Sequence, residues 1–407
     1  MSERRVVLLI ANNAPPVRGG SSVVYGGIAR HAGKRIILIA PKFSYTDGLP
    51  LIGWRGHDRT APYPVVRLRL LRTPLGGPRG GGLLRKLSFR ALDLGISLRL
   101  AASVTRLLLT RPIGAVCIGE LVSGAWILGL LRWWPNLRRV VYIHGEEITT
   151  RDEYDPSGQR RRRALGEADL AIVVSHFTEK AVRGLIGNAP SPRIVLIENG
   201  VDAARFAPRP PQPELIARYG LEGKFVFIAV CRLLEKKGVD HAIRAFANIH
   251  RTDPDCRYLI IGTGPFADRL AEIAREADAA DAVIFAGDVP DEDLADHYSL
   301  GHVFLMPNRA LPDGDTEGFG LVFLEANAAG LPAIAGRDGG STDAVKDGVN
   351  GLVVDGNSIS EIEVAMRRLR DDPVLRAKLA ASGLERAALM DWSRKAELFL
   401  EACLSEP

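Results

Sequence analysis

Along the whole chain, short apolar runs alternate with longer segments of helical spacing. RVVLLIA, RIILIA, GAVCIG, RRVVYIH, LAIVVS and RIVLIE read as strands in the first half, and KFVFIAVC, RYLIIG, AVIFAG and HVFLMP in the second. Near-continuous apolar runs with helices between them are the pattern of βαβ units, whose parallel sheets are covered on both faces. The prolines of APRPPQPE (residues 207–214) fit neither a central strand nor a helix interior, so a boundary falls near residues 200–215. The expectation is an α/β protein of two doubly wound, Rossmann-like domains, residues 1–200 and 201–385, facing a central cleft. In such domains ligands lie beyond the carboxyl ends of the strands. RTPLGGPRGGG (residues 72–82) reads as a surface excursion or a lid near the acceptor, and the RRRR of residues 160–163 as a solvated helix face.

The length of 407 residues, 46% hydrophobic and 25% charged, suits two globular cores. The start, MSERRVVLLIANN, has too short an apolar run for a signal-peptide core, and Leu121–Leu131, broken by Ser and Gly, falls short of the roughly 20 residues that span a bilayer. Four cysteines, Cys117, Cys231, Cys256 and Cys403, are far apart and lack metal spacing. Reduced thiols in a cytoplasmic protein are the expectation. The net charge of +5 hides an asymmetry: residues 1–198 carry 30 Lys and Arg against 14 Asp and Glu, whereas residues 199–407 carry 23 against 34. A basic first half could meet an anionic membrane surface, with residues 83–100 as an amphipathic helix, although a core-facing helix explains that segment equally. Nucleic acid is disfavoured, because aromatics are sparse and no binding motif is present.

Candidate chemistry concentrates in DGDTEGFGLVFLEANAAG (residues 313–330). The glycines mark the start of a helix whose first-turn N–H groups lack intrahelical partners and can hold a phosphate. Glu325 can reach back toward a diol attached to that phosphate, and Glu317 faces whatever lies on its other side, such as a sugar. In the bland alternative Glu325 finds backbone donors and Glu317 is solvated. Arg232 and Lys237 stand at the carboxyl edge of the second domain's first strand, where they could hold a diphosphate or form an ordinary surface pair. Gly262, in IIGTGP, marks a turn close enough for a flat base, though turn chemistry explains it as well. Gly19 and Gly20 lead into a Ser-capped helix, without a GxGxxG fingerprint. His144 follows a strand and is either structural or a sugar or acceptor ligand. Asp313 and Asp315 form a DxD with no further ligand at metal spacing, so no metal is expected.

These residues resemble a known family. EGFGLVFLE matches the E-x7-E signature of the retaining glycosyltransferases of family 4, which have the GT-B architecture, and CRLLEKKG matches their Arg-x4-Lys element. ENGVD, SHFT and GLPAIAGRDGG are also typical of the family, and HGEE with the Gly-Gly loop is similar to bacterial mannosyltransferases that build phosphatidylinositol mannosides. The resemblance implies that Arg232 and Lys237 bind the donor diphosphate and that Gly318, Phe319, Gly320, Leu321 and Val322 supply backbone amides around phosphate and sugar. Glu325 would hold the ribose, Glu317 the transferred sugar, and His144 would lie at the reaction centre. Gly262 stays on the donor side, with Gly19, Gly20 and Asn199 on the acceptor or phosphate side. It implies no metal or other cofactor, and a final helix, residues 386–407, that returns to the first domain.

The expected reaction is retaining transfer of a hexose, mannose from GDP-mannose ahead of a UDP-hexose, to a hydroxyl of a glycan or lipid-linked acceptor. Departing phosphate would take the acceptor's proton, for no protein nucleophile is evident. The expected location is the cytoplasm, with peripheral contact at the inner face of the membrane. Residues 43–110 match no acceptor pattern, which leaves the acceptor open. The other readings are a UDP-sugar-dependent hexosyl or N-acetylhexosaminyl transferase, a non-catalytic sugar-nucleotide-binding subunit, and a phosphorylase or epimerase, whose characteristic residues are not evident.

Overall fold

The structure is a computed structural model and describes residues 5–74, 83–150 and 155–405. Most of the 72–82 loop therefore lies outside the described residues. The first sheet contains β1 (Val6–Ile10), β2 (Ile36–Pro41), β3 (Val65–Leu68), β4 (Ile113–Ile118), β5 (Arg138–Ile143), β6 (Leu170–Val173) and β7 (Arg193–Leu196). The second contains β8 (Phe225–Val230), β9 (Cys256–Ile261), β10 (Val283–Gly287), β11 (Val303–Met306), β12 (Ala333–Gly336) and β13 (Gly351–Val354).

Both sheets are parallel, in the orders β3-β2-β1-β4-β5-β6-β7 and β10-β9-β8-β11-β12-β13. Leu8 pairs with Ile37 on one side and Val116 on the other, and Ile228 lies between Leu259 and Phe304. The order reverses between β1 and β4, and again between β8 and β11. These are the points where a parallel sheet opens a crevice for a ligand. Alternation of side chains sends Val7 and Leu9 to one face and Leu8 and Ile10 to the other, where separate apolar clusters receive them.

Three strands fall outside the runs that hydrophobicity marks. β3 is an edge strand, half-buried throughout, so VVRL lacks a continuous apolar run. β12 is AIAG, whose small residues carry little hydrophobic signal, and β13 is only four residues long.

The final helix, Trp392–Leu404, packs on the first sheet rather than the second. Asp391 caps it by accepting from Ser393 N at 2.8 Å. The Trp392 ring lies so close to Gly27 and Gly200 that a Cβ there would fall 2.4 and 2.7 Å from it. Phe399 stacks on Tyr142 with centroids 5.9 Å apart. The helix Leu83–Thr110 does two things at once: it buries Ile96, Leu100 and Val104, and leaves Leu87, Leu92, Leu94 and Leu98 exposed. Among the described residues no helix is long and apolar enough to cross a membrane. All four cysteines are free and buried.

Candidate active site

The two halves of the chain meet at Gly318. A Cβ on this residue would lie 1.9 Å from the carbonyl oxygen of His144, so only glycine lets the segment after β11 touch the segment after β5. Ser175 Oγ donates to the Gly318 carbonyl at 2.8 Å from the same side. Two residues on, Gly320 adopts φ +89° and caps the helix Leu321–Ala328; a left-handed turn here favours glycine. Close to it is the start of the helix Gly20–Ala32, whose N-cap is Gly19, without the expected serine side-chain cap, and where a Cβ on Gly20 would be 4.0 Å from Leu321 Cδ1. Two helix N-termini, each with first-turn N–H groups that lack intrahelical partners, thus come close together at one place, which favours negative charge there.

Lys237 reaches Glu317 because the preceding loop is held against the end of β11. Gly238, at φ +71°, lies against the Pro307 carbonyl, and Arg309 N donates to Lys236 O at 2.8 Å. Lys237 Nζ forms an ion pair with Glu317 Oε2, and both side chains are largely buried. Burial would raise the Glu317 pKa, but the Lys237 charge and hydrogen bond outweigh it and hold the carboxyl below its usual range. Burial likewise pulls Lys237 down, and Glu317 more than restores it, so its pKa ends above the ordinary lysine value. Both directions describe an ionised pair. Arg232 is exposed and has no hydrogen bond or ion pair through its side chain among the described residues. Lys236, by contrast, is committed within the protein: its Nζ donates to Asp315 at 2.6 Å and to Thr316 O at 3.4 Å. Half of the DxD is thereby used, and Asp313 accepts from Asp315 N at 3.0 Å.

Glu325 sits in an apolar helix because Tyr298, itself fully buried, donates to its Oε2 at 2.8 Å. Burial still raises the Glu325 pKa above the ordinary value. The expectation that this carboxylate needs hydrogen-bond donors is met in part by the protein.

On the opposite wall, Tyr25 is buried and its hydroxyl donates to Gly119 O at 2.7 Å. A phenol has one proton, so the His144 Nε2, 2.8 Å away, must donate to the same oxygen. Its Nδ1 is then left as an acceptor. The ring is stacked on Tyr142 at 4.8 Å and meets Tyr25 edge-on at 5.0 Å. Burial drives the imidazole pKa down to about 3, so it is neutral at ordinary pH. Beneath it, Glu147 Oε1 accepts from His144 N at 2.7 Å, and burial raises the Glu147 pKa to about 7.

Thus the structure brings together Gly20, His144, Lys237, Glu317, Gly318, Gly320 and Leu321, with Glu325 one turn along the helix. Three expectations are modified. The Phe319 side chain is in the core, so only its backbone can face a ligand. The Gly262 side where a Cβ would point is filled by the Cys231 carbonyl at 2.0 Å, so close packing of β8 against β9 accounts for this glycine. Asn199 is buried, its Oδ1 without a partner among the described residues, in the segment that packs under Trp392. The arginine run also differs from a wholly solvated face: Arg161 is buried and bonded to Asp155 Oδ2 at 3.2 Å and to Asp155 O at 2.9 Å. Tyr25 and Tyr298 carry no local signal, and Glu147 and Lys236 stand inside HGEE and CRLLEKKG without being singled out; the role of each becomes visible only through the partner the fold gives it.

Comparison with known proteins places this geometry. The family described as "Glycosyltransferase Family 4" matches residues 55–205, and "Glycosyl transferases group 1" matches residues 211–386. The GDP-mannose-dependent alpha-(1-6)-phosphatidylinositol monomannoside mannosyltransferase of Mycolicibacterium smegmatis is 35% identical over 296 residues, 72% of this chain and 76% of the relative. The protein of the same name from Mycobacterium tuberculosis is 31% identical over 392 residues, covering 93% and 92%. Among solved structures, Anabaena HepE in complex with UDP and glucose superposes with a TM-score of 0.74 at 20% identity, over 99% of this chain and 100% of the other. The chain belongs to glycosyltransferase family 4, has the GT-B fold, and is similar to the phosphatidylinositol mannoside mannosyltransferases of that family.

Proposed function

We propose that this glycosyltransferase moves mannose from GDP-mannose to a hydroxyl of a glycolipid or related glycan, with retention and without a metal. The observation that carries the reading is the close approach of the Gly20 and Leu321 helix starts, the second of them in the half of the molecule that also holds the Lys237–Glu317 pair and an Arg232 with no side-chain partner among the described residues. Opposed helix termini and two cations suit a diphosphate. As the nucleoside diphosphate departs, these groups stabilise its growing charge, and Glu317 holds hydroxyls of the sugar. Neutral His144 offers Nδ1 as an acceptor to a hydroxyl. Glu325 and the Gly262 turn serve the nucleoside. The names of the relatives favour GDP-mannose as donor.

The test is release of nucleoside diphosphate by purified protein from GDP-mannose and from UDP-hexoses, with and without a lipid acceptor. Release of GDP, and an α-linked product by NMR in chelator-treated buffer, supports every part. Release of UDP alone replaces the donor, and release of neither overturns the reading.

For location, the exposed leucines of the Leu83–Thr110 helix and the basic first half support peripheral contact with an anionic membrane.

A further inference from the structure

β1 and β4 flank the strand-order reversal of the first sheet, and two side chains just beyond them have no part in the chemistry above. Asn12 is only 7% exposed and donates from Nδ2 to Glu120 Oε2 at 2.8 Å. Ser123 Oγ donates to the same oxygen at 2.7 Å, and Arg72 Nη1 stands 3.6 Å from it. Every donor goes to one oxygen. Glu120 Oε1 and Asn12 Oδ1 are both buried, and neither has a hydrogen-bond partner among the described residues. An unmatched buried acceptor is destabilising, so a linked pair of side chains that leaves two calls for donors from outside the protein.

Three features say what those donors are. The Glu120 side chain remains 22% exposed, so the pair lies at a wall rather than deep in a core. The preceding residue, Gly119, accepts from Tyr25, which in turn holds His144; the pair is thus joined to the proposed reaction centre through one tyrosine. A carboxylate and an amide oxygen repel an anionic group and welcome hydroxyls.

We infer that Asn12 and Glu120 determine acceptor specificity, receiving two hydroxyl donors of a polyol whose remaining hydroxyl is glycosylated. The inference rests on the glycosyltransfer reading and adds to it the acceptor's class and the residues that select it.

Asn12→Ala and the isosteric Glu120→Gln test this with two readouts. The first is acceptor-free release of GDP from GDP-mannose; the second is transfer to phosphatidylinositol monomannoside in detergent micelles and to free myo-inositol and methyl α-mannoside. Both variants are expected to raise the KM of whichever polyol probe wild type uses by tenfold or more, with acceptor-free release within twofold of wild type. Glu120→Asp should recover part of the loss. An unchanged acceptor KM in Glu120→Gln, or a wild type that releases GDP but responds to none of the polyols, overturns the inference alone. A wild type that releases no nucleotide overturns the glycosyltransfer reading first, and this one with it.

Discussion

The Tyr25 hydroxyl lies between His144 Nε2, at 2.8 Å, and the Gly119 carbonyl, at 2.7 Å, and thereby dictates which imidazole nitrogen carries the proton. Tyr25→Phe removes the dictating atom and leaves the Gly119 carbonyl unpaired. The variant should lose ~1–2 kcal/mol of stability, the usual consequence of orphaning a buried acceptor. Its kcat should fall at least about tenfold, because the imidazole can then present the wrong nitrogen, while GDP affinity by calorimetry stays unchanged. A wild-type kcat would remove His144 Nδ1 from the reaction.

Lys237 and Arg232 should respond differently to truncation. Lys237→Ala leaves Glu317 charged and buried, so the thermal transition should drop together with a loss of at least ~2 kcal/mol in kcat/KM. Arg232→Ala touches no internal partner and should keep its Tm while weakening the donor. Lys237→Ala/Glu317→Gln should regain stability without regaining activity. Equal Tm losses for the two single variants would contradict the pairing described above.

Two glycines near the helix starts make a second contrast. Gly318→Ala drives a methyl into the His144 carbonyl and should lower both Tm and activity. At Gly20 the nearest atom to an added methyl is 4.0 Å away, so Gly20→Ala should fold normally. If a phosphate approaches that helix start, the variant should nevertheless lose donor affinity, read as a smaller thermal shift with GDP-mannose.

Glu147 gives a pH dependence with a definite sign. Its pKa rises from an ordinary 4.5 to about 7 on folding, because burial disfavours the charged carboxylate. Between those values the native state binds more protons than the unfolded state, so this group's contribution to stability falls as pH rises through that window and is level above it. Glu147→Gln can keep the bond from His144 N without the charge. Subtracting the two Tm profiles from pH 4 to pH 8 should show the variant gaining on wild type up to about pH 7. A flat difference would show that the carboxyl is not shielded from water.

Membrane contact is checked by sedimentation with vesicles containing phosphatidylglycerol. Wild type should co-sediment at low salt and dissociate as salt rises. Replacing both Leu94 and Leu98 with serine should abolish binding without changing acceptor-free release of GDP; co-sedimentation equal to wild type would locate the contact elsewhere.

What the sequence reveals here is whatever is encoded within a few neighbouring residues. The buried strands announce themselves by runs such as VVLLI, and the Leu321 helix start by Gly-Phe-Gly before an apolar segment. Features that depend on pairing across the fold stay hidden. Lys237 and Glu317 are 80 positions apart, Tyr25 and His144 are 119, and Tyr298 and Glu325 are 27. Each residue can be singled out in the sequence or passed over, but the bond between them is invisible. The same limit hides the packing at Gly262, where an added Cβ would strike the Cys231 carbonyl, a neighbour 31 positions away.

The Trp392–Leu404 helix, seated on the first sheet, sets an order of assembly. During synthesis the residues of β1 to β7 leave the ribosome long before Trp392, so the nascent first lobe must wait, with its Tyr142 face open, until that helix has been made. A chain stalled before Trp392 would therefore injure the half of the molecule made earliest, while the later half closed normally.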